Sequence, residues 1–169
     1  MTFHELLIDL SERPLYVLDQ IANKHLSVER ANAHLGGHPN SIVWLLWHTG
    51  RELDMQLIEL SGGQQVWTRG EFAQRTGLGS TGDPMGYGHS EAEARAMRVE
   101  TQDQLEALLD YVRQSLTATR AYTAQLSAVE AKKLIDANVT FGVRLISIID
   151  DAIQHLAQIQ YVLGAPELR

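Results

Sequence analysis

The chain has 169 residues, a formal charge of −7 and no cysteine. Its length fits one domain spanning 1–169, and its 44% of hydrophobic residues is enough for a sizeable core. The acidic balance argues against nucleic-acid binding through a broad basic face, and the missing cysteine excludes disulfides, thiolate metal sites and a cysteine nucleophile.

The first residues, MTFHELLIDLSERPLYVLDQ, carry acids inside their apolar run and no basic lead-in, so no signal peptide is expected. No stretch reaches the roughly 18 uninterrupted apolar residues of a membrane span. A cytoplasmic protein with no membrane partner is the expectation.

Helical periodicity dominates the chain. Between Phe3 and Asn23, Leu6, Leu7, Leu10, Leu15, Leu18 and Ile21 fall at helical spacings, with Pro14 as a kink or a split. KHLSVERANAHLGGHPN then reads as a loop, with Gly36-Gly37 and Pro39 as breakers. Asn40 or Ser41 is suited to cap the next helix, SIVWLLWHTGRELDMQLIELSG, which stops near Gly62-Gly63. Gly50 in its interior costs helix stability but permits close packing. WTRGEFAQRTGLG predicts one short helix, and GLGSTGDPMGYGHS reads as a long loop, a feature often tied to function. Ser90 and Glu93 have the spacing of a capping box. A short helix follows to about Val99 and a long one from Thr101, striped by Leu105, Leu108, Leu109, Val112 and Leu116. The last helix begins near Thr140 and ends before Gly164. Four long helices joined by loops predict an all-α, four-helix bundle.

Two segments carry chemistry. In the last helix, IIDDAIQHLAQ places Asp151 and His155 four residues apart, hence on one face. Their apolar neighbours turn that face inward, where an unpaired charge is costly. Either the two groups pair with each other or a cation sits between them. In SIVWLLWHTGRELD, His48 shares an inward stripe with Ser41, Trp44, Leu45, Glu52 and Met55. Two histidines and a carboxylate from two helices suit a divalent transition metal. The competing reading is a hydrogen-bonded core network of the same three residues.

Secondary candidates surround this set. Glu52 lies one turn after His48 and suits an outer acceptor or a further ligand. Gln158, one turn after His155, could bond a metal-bound water or only pack. Trp44 could wall the pocket, whereas Trp47 reads as core. Arg51 reads equally as a solvated residue and as a cofactor contact. Asp150 points about 100° away from Asp151. If the loop from Thr76 to His89 closes over the site, His89 or Tyr87 could serve as a general acid; otherwise both are solvated. His4, His25, His34 and His38 read as ordinary surface or loop residues. The glycines of RTGLGSTGDPMG follow no strand and precede no Lys-Ser/Thr pair, so a phosphate loop is not expected.

The two segments together resemble the DinB/YfiT-like superfamily. SIVWLLWHTGRELD is similar to its second-helix motif, an apolar run ending in a ligand histidine. LISIIDDAIQHLAQIQYVLG is similar to its last-helix motif, a ligand pair spaced by four. The carboxylate Asp151 as first of that pair resembles the mycothiol-dependent branch that includes maleylpyruvate isomerase. The resemblance implies an up-down-down-up bundle with one long crossover, often a homodimer. It further implies a divalent ion, Zn²⁺ or Ni²⁺, on His48, Asp151 and His155. A low-molecular-weight thiol of the mycothiol or bacillithiol type, with an electrophile as its partner, is the implied substrate pair. Since the chain has no cysteine, such a thiol has to come from outside. Three functions remain open at this level: a metal-dependent thiol transferase, isomerase or hydrolase; a metal-binding or stress-related bundle without turnover; and a helical interaction domain.

Overall fold

The computed structural model describes residues 2–166. Its helices are α1 (Phe3–Ala22), α2 (Val28–Asn32), α3 (Ile42–Ser61), α4 (Val66–Arg69), α5 (Phe72–Arg75), α6 (Glu91–Ala96), α7 (Gln102–Gln125) and α8 (Phe141–Gly164). Short 3-10 turns lie at Leu35–Gly37, Gly79–Gly82 and Glu130–Lys132. The described residues contain no strand, only a single bridge between Leu134 and Thr140. The all-helical fold expected from periodicity is present.

Local chemistry sets the helix starts. Thr2, Ser41, Thr101 and Thr140 each accept a hydrogen bond from a backbone N–H of the first turn of their helix, satisfying a donor the helix itself cannot. Ser90 and Glu93 do form a reciprocal capping box on α6. Pro14 neither splits nor ends α1; it is buried inside one continuous helix. Two other expectations need correction. The segment after Val66 is two single-turn helices, because Glu71 sits in the left-handed region at φ 53° and breaks the run. The connection before Pro39 contains α2, capped by Ser27.

The four long helices form the core. α1 packs on α7 and α8, and α3 packs on the same two. Side-chain pairs fix the directions. His48 meets His155 and Gln56 meets Arg144, so α3 and α8 are antiparallel. Asp19 pairs with Arg113 and Glu12 with Arg120, so α1 and α7 are antiparallel. Gln20 bonds Gln160 at the C-terminal ends of α1 and α8, and Gln102 reaches the carbonyl of Leu26 just beyond α1. The ends of α1 and α8 and the starts of α3 and α7 therefore gather at one end. The chain from Gly62 to Thr101 must cross the length of the bundle to begin α7, and it carries α4, α5 and α6 on the way.

Leu46, Leu53, Leu105, Leu108, Leu145 and Leu156 lie fully buried between these helices. Each contributes about 1.5–3 kcal/mol relative to exposure. Gly50 lets α3 and α7 approach closely, since a Cβ there would overlap the ring of Tyr111. No helix among the described residues is long and apolar enough to cross a membrane.

Candidate metal centre

The site lies between the middle of α3 and the second half of α8. His48 and Glu52 come from α3 and are nearly buried; Asp151 and His155 come from α8 and are partly exposed. One ligand atom from each of the four lies within 4.8 Å of the other three. The antiparallel pairing makes this meeting possible, because a four-residue step on each helix covers the same axial distance. His48 thus faces His155, with ring centroids 4.9 Å apart, and Glu52 faces Asp151.

Each histidine is held by its far nitrogen. His48 Nδ1 lies 2.6 Å from the carbonyl oxygen of Met85. A carbonyl only accepts, so Nδ1 carries the proton and the Nε2 lone pair is left for a ligand. His155 Nδ1 lies 3.0 Å from Oε1 of Gln158, with the same consequence. Nε2 of His48 is 3.8 Å from Glu52 Oε1, and Nε2 of His155 is 3.4 Å from Asp151 Oδ2. Asp151 Oδ2 is buried yet accepts no hydrogen bond. Buried carboxylate oxygens are normally satisfied, so this atom points to a missing positive partner.

The electrostatics agree. Burial holds His48 below the usual imidazole value, so it is neutral near pH 7. Burial and the adjacent Asp151 carboxyl push Glu52 up to about 8. Burial alone would also raise Asp151, but the proximity of His155, Glu52 and His48 outweighs it and holds the group at about 2. His155 is raised, because Asp151 and Gln158 outweigh its burial. The two carboxyls thus compete for one proton beside two imidazoles. This is an arrangement a divalent cation relieves by displacing the proton.

The loop before α6 forms the outer wall. Four successive carbonyls, those of Gly82, Asp83, Pro84 and Met85, accept from side chains of α3. Trp47 Nε1 reaches Gly82 at 3.0 Å, Arg51 reaches Asp83 at 2.6 Å and Pro84 at 3.3 Å, and His48 takes Met85. Gly86, at φ +88°, passes so close that a Cβ would overlap Trp47 and touch His48 Nδ1. His89 accepts from Trp44 Nε1 at 3.3 Å and stacks on Trp47 at 5.3 Å.

The sequence candidates sort accordingly. His48, Asp151 and His155 come together. Glu52 joins them as a fourth potential ligand, a stronger role than its spacing alone suggested. Gln158 orients His155 through its Oε1. Trp44 stacks on His48 at 4.5 Å and walls the site, and Trp47 is core. Arg51 is not solvated: it is 2% exposed and bonds Gln65, Tyr111 and the loop. Tyr87 is 87% exposed, in keeping with the solvated reading. No residue pattern points to Met85, whose contribution is a backbone carbonyl.

No family model matches the chain, and no curated protein matches it. Among solved structures, the chain is similar to a conserved protein from Enterococcus faecalis known from its crystal structure. The match covers 96% of this chain and 95% of that one, with a TM-score of 0.81 and 28% identity. That protein is described only as a conserved protein of a locus, so the likeness carries the fold over nearly both full lengths and names no activity.

Proposed function

We propose that the protein is a divalent-metal protein of the DinB/YfiT-like kind that uses its ion to activate a low-molecular-weight thiol toward an electrophile. The observation that carries the reading is the group of four donors around the unsatisfied Asp151 Oδ2. The helix directions support it, since α1 and α8 run one way and α3 and α7 the other, with the long connection between α3 and α7. His48, Asp151 and His155 hold the ion, with Glu52 as a fourth ligand or as the acceptor beside it. Two imidazoles and carboxylate oxygens suit Zn²⁺ or Ni²⁺. When bound, the ion supplies Lewis acidity, which favours the deprotonated form of a thiol or water at its open position.

The remaining chemistry belongs to the chain. Met85 and Gln158 fix the tautomer and orientation of the two histidines, as outer-shell acceptors do. Trp44 and the loop keep water from the His48 side. Glu52, set beside Asp151 and one turn after His48, would take up the thiol proton where it does not itself ligate the ion.

The test is elemental analysis of untagged protein beside His48→Ala and His155→Ala, followed by assays of the parent with mycothiol, bacillithiol and simple thiols against electrophiles. About one ion per chain, lost in both variants, together with thiol consumption abolished by chelation, is the expected result. Metal bound without any turnover would leave a non-catalytic metal-binding bundle. A parent that takes up no Zn²⁺, Ni²⁺ or Mn²⁺ would return the four residues to a core network.

A further inference from the structure

Beside the candidate metal centre lies a second feature, a cleft of about 840 Å³ between the start of α3 and the end of α8. It touches the centre at two points. His155 is both a donor residue and part of the cleft wall, and Trp44, which stacks on His48 at 4.5 Å, forms another part. His155 keeps some exposure toward the cleft, whereas His48 and Glu52 are nearly buried. The volume falls in the range that encloses a small organic molecule, about 300–1,000 Å³.

The cleft's chemistry is distinctive for an acidic protein. No Lys, Arg, Asp or Glu lines it. Leu35, Leu45, Tyr161 and Val162 supply apolar surface. The polar groups are imidazole and amides, and most are already engaged. His38 Nδ1 accepts from the backbone N–H of Asn40 at 3.1 Å, Gln154 donates to Asp150 at 2.8 Å, and Gln158 accepts from His155. A ligand with several charges would find no partner here and would lose its hydration.

Resting on the metal reading above, we infer that this cleft receives the substrate, and that the substrate is an uncharged organic molecule with an apolar body and one donor group that reaches the ion. Thiols and cofactors bearing phosphates or several carboxylates do not fit. An uncharged thiol or an apolar electrophile does.

Hydroxamates test this directly, because they share one metal-binding head and differ in the body. Zn²⁺-loaded protein is titrated calorimetrically with acetohydroxamate, benzohydroxamate and 4-sulfobenzohydroxamate. Benzohydroxamate should bind at least tenfold more tightly than acetohydroxamate, and the sulfonate should lose at least tenfold of that affinity. Ala157→Trp, an exposed position on the cleft wall, should bring the first two ligands within about twofold of each other while zinc content stays at the parent level. Gln154→Trp, a second exposed wall position, repeats the test should the first variant misfold. An unchanged preference in both variants, or no preference in the parent, overturns the inference and leaves the metal reading standing. A parent that takes up no zinc overturns both.

Discussion

Two buried polar clusters share α3, and they differ in one respect. Around Arg51, everything is matched. Asp54 accepts from the backbone N–H groups of Val66 and Trp67 at 2.8 Å each and from Tyr111 at 3.1 Å. Arg51 lies 3.7 Å from Asp54, gives both terminal nitrogens to Gln65, and covers the ring of Trp67 at 5.2 Å. One turn away, around His48, the groups face each other without closing: two carboxyls contend for a proton and Asp151 Oδ2 accepts nothing. The first cluster is complete as it stands and ties the crossover segment to α3. The second is left open, as a group of donors that could hold a cation. Burial alone therefore does not separate the two clusters; saturation of their hydrogen bonds does.

The largest effect should come from breaking the saturated cluster. Asp54→Ala leaves Arg51 buried without its counter-charge, and such losses cost about 3–5 kcal/mol. Chemical denaturation should register that drop, with unfolding of the crossover segment. A variant as stable as the parent would mean that Gln65 and the loop carbonyls alone satisfy Arg51, and the contrast between the clusters would fail.

A smaller effect is expected in the unsaturated cluster, and its sign depends on pH. Glu52 in the folded state is raised to about 8 from an ordinary 4.5. Its contribution to folding is therefore complete below about 4.5 and is lost as pH rises through about 8. His155, also raised, acts in the same direction, whereas His48, depressed, opposes it. Asp151, held at about 2, contributes above its ordinary 3.8 and loses that contribution only as pH falls through about 2. Chelator-treated protein should thus lose melting temperature between pH 5 and 8, and Glu52→Gln should flatten that slope. Equal slopes in the two proteins would remove Glu52 from the account. Zinc affinity should rise over the same window, because binding displaces the shared proton.

The smallest effect is expected at the opposite seam. Arg113 with Asp19 and Arg120 with Glu12 join α1 and α7 at the surface. Each pair is half-exposed, and such pairs contribute about 0–1 kcal/mol. Arg113→Ala should shift the denaturation midpoint barely at all and leave metal content untouched.

The helices were legible because apolar residues recur at helical spacing and because Ser41, Ser90 and Thr101 stand where caps belong. Pairs four residues apart gave Asp151 with His155 and put His48 on an inward face. What the sequence hid depends on contacts distant in the chain. Arg51 is charged and looks solvated until the carbonyls of Asp83 and Pro84, more than 30 residues on, are seen against it. Glu52 gains its standing only from Asp151 across the helix pair. The break at Glu71 follows from a left-handed backbone angle in a non-glycine residue, which no local pattern announces.

The seating of the loop has one more consequence. Since its carbonyls are already spoken for by Trp47, Arg51 and His48, and Gly86 leaves no clearance beneath it, that side of the centre is a wall rather than a gate. Among the four donors, the exposure that remains lies on the edge formed by α8. An ion arriving from solvent would therefore meet Asp151 and His155 before His48 and Glu52.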